Sequence, residues 1–233
     1  MASTPAEAAF RPARRESQIR SEDVRLRLMI VAEQLFAEGG FNGVSLREIA
    51  ARAGQKNNNA VQYHFGTRER LIDAIFESRM LQMEATRAAM LARAEAESRL
   101  ENVRALVEIV YLPQLQLRKE GGRHTYAGFL SHYLLRTHGT RFGEFAAETQ
   151  PHLSRVLELL RALIPHLPDD VAQRRLVGCS LMFVKLLMQH DDAGWADAER
   201  TGESFEAAVD DTLDQIALCL TAPLQAPKVS SMC

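Results

Sequence analysis

Residues 53–71 read AGQKNNNAVQYHFGTRERL and place Asn57, Asn58, Asn59 and Gln62 close together, followed at once by Tyr63 and His64. Amides are poor helix formers and contribute nothing to an apolar core. What an amide does well is donate and accept at once, which matches N6 and N7 of adenine in a major groove. Lys56, Tyr63, His64 and Arg68 surround the amides with groups able to meet phosphate oxygens. The competing reading is a solvated helix with an asparagine cap. The elements that hold the stretch decide between the two.

Helical periodicity dominates the chain, and strand and hairpin signals are scarce. Residues 1–20 lack a core pattern, carry Pro5, Pro12, Arg11, Arg14, Arg15 and Arg20, and read as a flexible arm. Ser21, with Glu22 and Asp23 behind it, opens a first helix whose face is Leu28, Val31, Ala32, Leu35 and Phe36, ended by Gly39-Gly40. Ser45-Leu46-Arg47-Glu48 has the form of a capping box and starts a second helix that buries Leu46, Ile49, Ala50 and Ala53. A third, short helix is predicted from Asn57 or Asn58 to about His64, with Val61 and Phe65 inward. Gly66 breaks it, and Thr67 caps a fourth helix bearing Leu71, Ile72, Ile75, Phe76 and Met80.

Two short helices joined by a tight turn form a helix-turn-helix unit. With Val61 and Phe65 inward, Asn58, Asn59 and Gln62 face outward on the N-terminal half of its second helix, where base edges are met in such units. Leu35-Phe36, Gly40-Phe41, Ser45-Leu46-Arg47-Glu48-Ile49-Ala50, Ala53-Gly54 and Tyr63-His64-Phe65-Gly66 together resemble the DNA-binding domain of the tetracycline-repressor (TetR) family of bacterial regulators, over about residues 22–80. The resemblance implies an all-α homodimer with a diverged C-terminal domain for effector binding and dimerisation, which represses and leaves DNA when a small effector binds. It implies a DNA-facing set of Ser45, Arg47, Lys56, Asn57, Asn58, Asn59, Gln62, Tyr63, His64, Thr67 and Arg68. The chain departs from the family at Gln55-Lys56-Asn57-Asn58-Asn59, one residue longer than the usual Val-Ser-Lys-Gly-type tetrapeptide. Counted back from Tyr63, Asn57 takes the cap position and Asn58 replaces the usual lysine, which puts the turn geometry in question.

Charge is distributed accordingly. The net charge is −2, yet residues 11–80 carry 12 Lys and Arg against 9 Asp and Glu, and residues 81–233 carry 16 against 20. An anionic partner at the N-terminal end is permitted, not demanded. Cys179, Cys219 and Cys233 form no CxxC or Cys/His ligand spacing, so neither a zinc site nor a disulfide framework is expected. No run of about 18 apolar residues exists, and the polar N-terminus has no secretory core segment. A bacterial cytoplasmic setting is expected, with the chain on the nucleoid when bound to DNA.

The remainder is helical without a motif. The fourth helix continues past residue 90, and a fifth starts near residue 98, with Pro113 kinking it and Gly121-Gly122 ending it. A sixth covers about 123–136. A seventh covers about 144–163, bent by Pro151. An eighth runs from Asp169-Asp170 to Gln189, and a ninth from Glu203 to Leu220. The His190–Gly202 loop holds Trp195. The domain reading is an arm over 1–20, a helix-turn-helix domain over 21–66, an effector and dimerisation domain over 67–222, and a tail over 223–233. The eighth and ninth helices carry more apolar surface than one core requires, so Leu181, Val184, Leu187, Val209, Leu213, Ile216 and Leu220 are the expected dimer interface, against the alternative of a buried helix hairpin. Tyr111, Phe129, His132, Tyr133, Met182 and Phe183 are the expected effector pocket, apolar walls with a few polar anchors. His124, His132 and His138 lack the i, i+4 spacing of a helical metal pair, so no metal is expected. GxSxG, P-loop, GxGxxG and HExxH motifs are absent, and neither catalysis nor a cofactor is expected. The alternative regulatory reading is a DNA-binding protein controlled by a protein partner, or by no small effector.

Overall fold

The computed structural model describes residues 5–117, 124–136, 150–191 and 204–224, with side chains from Arg20 onward. Among them every regular element is helical: α1 (Pro5–Gly43), α2 (Leu46–Arg52), α3 (Ala60–Phe65), α4 (Arg68–Ala96), α5 (Val103–Tyr111), a 3-10 segment (Leu112–Leu117), α6 (Thr125–Arg136), α7 (Pro151–Leu163), α8 (Asp169–Asp191) and α9 (Phe205–Thr221). The chain divides into two compact units, Met1–Phe76 and Glu77–Cys233, and the division falls inside α4.

In the first unit the expected face of α1 is buried at Leu28, Ala32, Leu35 and Phe36, and Val31 is half-buried. The Phe36 ring meets Phe41 edge-on at 5.3 Å. Gly40, at φ 68 and ψ 172, breaks the helical path there, a conformation that suits a residue without Cβ. The arm expected over residues 1–20 is corrected: α1 begins at Pro5 and Ser21 lies inside it. PAEAAF is rich in alanine, the strongest helix former, and proline at a helix start forfeits no hydrogen bond, so the sequence has its own reason to be helical there.

In the second unit α5 packs on α7 and α9, and α8 packs on α6 and α9. Pro113 does not kink a long α5. The helix ends at Tyr111 and tightens into the 3-10 segment, because proline cannot donate to the ladder. Pro151 stands in the first turn of α7, where its missing N–H costs nothing, rather than in a bend. The expected start of that helix at 144–149, the Gly121-Gly122 stop, the Trp195 loop and His138 lie outside the described residues.

The expected dimer face is also corrected. Val184, Leu187, Val209, Leu213, Ile216 and Leu220 are buried within the single chain, and Leu181 alone of the set is half-exposed. Their apolar faces are satisfied by α8 and α9 packing on each other and on α5 and α6. A periodic apolar face shows that something covers it, not which chain does. Arg104 fixes α5 to α9 from the rim, through Glu108 on its own helix and Asp210 and Asp214 across the groove.

Candidate nucleic-acid interface

Ser45 starts α2: its side-chain oxygen accepts from the Glu48 amide at 3.1 Å, meeting one of the orphan donors of the first turn. Ile49 and Ala50 are fully buried, anchoring α2 on its inner side. The helix ends through Gly54 at φ +71, with the Gln55 amide returning to the Ala50 carbonyl at 2.9 Å. Arg47 stays exposed, while Arg52 pairs with Glu48 at 3.3 Å along the helix.

The asparagine run is divided. Asn57 turns the chain: its Oδ1 accepts from the Asn59 amide at 2.9 Å, and its carbonyl accepts from Ala60 at 3.1 Å. Asparagine closing its own backbone two residues on is an Asx-turn. Asn59 then occupies the cap position of α3, without a side-chain capping bond, and its carbonyl accepts from Tyr63 at 2.9 Å. The helix therefore begins at Ala60, not at Asn57 or Asn58 as expected, and Gln62 is the one amide on it.

Ala60, Val61 and Phe65 are buried beneath α3. Lys56, Asn57, Asn58, Asn59, Gln62 and Tyr63 are exposed, Tyr63 to 81%. The structure thus brings the expected outward residues onto one continuous stretch, from the turn through the first turn of the helix. Arg25, which the sequence reading did not select, sits with its guanidinium carbon 4.9 Å from the Phe65 ring centre and helps hold α3 against α1.

Two expected phosphate ligands make contacts within the domain. Arg68 donates through Nη1 to the Phe41 carbonyl in the last turn of α1, so its charge caps a helix end. His64 is half-buried, its ring edge-on to Tyr63 at 5.0 Å, and burial with help from Arg25 lowers its pKa from 6.5. At neutral pH it is an uncharged imidazole. Thr67 accepts through Oγ1 from the Arg70 amide at 3.2 Å and caps α4, after Gly66 has turned the chain at φ +76.

In the second unit the expected pocket residues pack on one another. The Tyr111 hydroxyl meets Ser180 Oγ at 3.1 Å and its ring lies 5.2 Å from Phe183, with burial pushing its ionisation well above the ordinary range. Phe129 stacks between Tyr126 at 5.8 Å and Tyr133 at 6.2 Å. His132 and Met182 are half-buried. Two clefts open elsewhere. One, of about 360 Å³, lies between α5, the 3-10 segment and α9, with Leu112, Leu115, Phe205 and Val209 among its walls. The other, of about 260 Å³, lies between α4 and α5 around Met90, Ala94 and Ile109. Residues of metal-ligand type also meet in this unit, at His124, His190 and Asp191, a set the helical-spacing argument missed because its members come from different helix ends.

Residues 28–75 match the family described as bacterial regulatory proteins, tetR family. An HTH-type transcriptional regulator of Mycobacterium bovis and an HTH-type transcriptional repressor of Mycobacterium tuberculosis are each 35% identical over 116 residues, 46% of this chain and 61% of theirs. The matched region thus spans less than two thirds of these relatives.

Proposed function

We propose that this chain, whose residues 28–75 match the tetR family of bacterial regulatory proteins, is a DNA-binding transcription regulator acting as a homodimeric repressor. One observation carries the reading: Lys56, Asn58, Asn59, Gln62 and Tyr63 are exposed on one stretch leading into a short helix whose other side is anchored by Val61 and Phe65. Anchored apolar positions fix the helix, and the exposed amides and cation supply base-edge and phosphate contacts. A dimer of such heads reads an operator of two inverted half-sites, about 10–10.5 base pairs apart or a related spacing. Selection of bound sequences from a random DNA pool tests this. An enriched inverted repeat is expected; uniform recovery of all sequences would remove the assignment.

Control by a small effector is the second part of the proposal. It draws on the family and on the cleft beside α9, whose volume of about 360 Å³ reaches the range of small-ligand sites. An effector releases DNA only as far as it binds the released conformation more tightly. Screening metabolites for release of the selected DNA tests it. Release by a protein partner alone would replace this part and leave the DNA-binding reading intact. The reading is of a binding protein and includes no catalytic step.

A further inference from the structure

His124 precedes α6, while His190 and Asp191 are the last two residues of α8. One ligand-type atom from each lies within 4.8 Å of the other two, and His124 is buried at 3% exposure. The backbone holds the group together: the His124 amide donates to Asp191 Oδ2 at 2.6 Å. The His190 ring stacks on Phe205 at 3.9 Å and 31°, which sets its plane from α9. The His124 and His190 rings are 5.4 Å apart and inclined at 64°, so two imidazoles face one small volume from different directions.

We propose that His124, His190 and Asp191 bind one divalent first-row transition-metal ion per chain. Two imidazoles and a carboxylate suit zinc, cobalt, nickel or ferrous iron, and a site with a single carboxylate and no carbonyl cage is poor for calcium or magnesium. Bonds of about 2.0–2.2 Å to nitrogen and oxygen place tetrahedral ligands about 3.3 Å from one another. Side-chain rotations closing the 4.8 Å group by about 1.5 Å reach that geometry. Asp191 ligates through Oδ1 while Oδ2 keeps the amide bond, the kind of second contact that orients a ligand. The ion joins the start of α6 to the end of α8 and leaves a fourth position for water or a donor atom of another molecule. The site stands independently of the DNA-binding reading.

The test uses the full chain, stripped with a chelator, dialysed and titrated with cobalt(II) and then zinc(II). One cobalt per chain is expected, with the visible absorbance of a tetrahedral site, displaced by zinc, and zinc is expected to raise Tm. His190→Gln and Asp191→Asn should each weaken binding more than about tenfold, whereas His166→Gln, at an exposed histidine remote in sequence, should bind as wild type. Asp191→Asn keeps an oxygen for the His124 amide, so it remains decisive where the histidine variant is unstable. Absence of stoichiometric metal in the wild type, unchanged binding in Asp191→Asn, or equal loss in His166→Gln would each overturn the site and leave an aromatic packing cluster.

Discussion

Asn57 Oδ1 holds the Asn59 amide at 2.9 Å, and this bond separates the asparagine that shapes the turn from the amides that face outward. Asn57→Ala should lower stability by about 1 kcal/mol, the scale of a lost local side-chain cap, and weaken all DNA sequences alike. Asn58→Ala, Asn59→Ala and Gln62→Ala should leave stability near wild type. Where the lost contact is bidentate, each should cost ~1–3 kcal/mol of affinity and relax one base position. Competition binding with single-base variants, beside urea unfolding, separates the two classes. An Asn57→Ala variant that changes base preference without changing stability would reverse the division.

Cations should divide in the same way. Lys56 is exposed, so Lys56→Ala should lower the salt slope of binding by about 0.9, the mark of one lost phosphate neutralisation. Arg68 is committed to the Phe41 carbonyl, so Arg68→Ala should cost about 1–3 kcal/mol of stability, as for a charged hydrogen bond. His64 is expected to be neutral at pH 7.5, and His64→Gln should leave the slope unchanged. Its folded pKa lies below the ordinary 6.5, so its contribution to stability is present above 6.5 and is lost as pH falls through the lower folded value. An imidazole NMR titration with a midpoint at or above 6.5 would contradict this.

Much of the first unit was legible because its signals are local. The capping serine at 45, the glycines at 54 and 66, and the inward pair Val61 and Phe65 all act within a few residues of themselves. The start of α3 was not legible, since three successive asparagines can each cap and the Asx-turn at Asn57 decides among them. The role of Arg68 depends on a carbonyl 27 residues away, and the meeting of His124 with Asp191 spans 67. For α8 and α9 the apolar pattern shows that the face is covered, not whether its own chain or a partner covers it. Intramolecular and intermolecular burial have the same periodicity.

Thiol chemistry should distinguish the two described cysteines. Cys179 is buried, and desolvation with the nearby Cys219 raises its pKa to about 12, whereas Cys219 is exposed. Thiolate is the reacting form, so native alkylation at pH 8 should label Cys219 well before Cys179. Peptide mass spectrometry reads the order directly, and equal labelling in the folded protein would deny the burial.

Dimerisation should depend on the outward faces of α8 and α9. Leu218 is 70% exposed on α9 and Leu181 is half-exposed on α8. Leu218→Glu should shift the protein toward monomer in light scattering with little change in secondary structure. Leu213→Ala should cost about 2–5 kcal/mol as a core truncation and leave the oligomeric state unchanged. A Leu218→Glu variant with wild-type mass at low micromolar concentration would move the interface elsewhere.

The second unit holds a charged group inside its core, and its dependence on a partner can be measured. Arg87 is 2% exposed and donates to Glu84 Oε1 at 3.2 Å and to the Met80 carbonyl at 3.2 Å. Burial pulls the Arg87 pKa below its ordinary value, and the hydrogen bond and charge of Glu84 pull it back. The other Glu84 oxygen accepts from the His152 amide at 3.1 Å and lies 3.0 Å from His152 Nδ1. One carboxylate therefore neutralises a buried guanidinium on α4 and satisfies a first-turn amide of α7. Glu84→Ala should cost roughly 3–5 kcal/mol, because an unpaired charge is left in the interior. The double variant Glu84→Leu/Arg87→Met should recover much of that loss, since it removes both desolvation penalties together. Urea unfolding of the wild type, Glu84→Leu, Arg87→Met and the double variant gives the coupling. If the double variant is as unstable as the two single losses added, the pair is not coupled, and the cost belongs to the α7 cap and to packing.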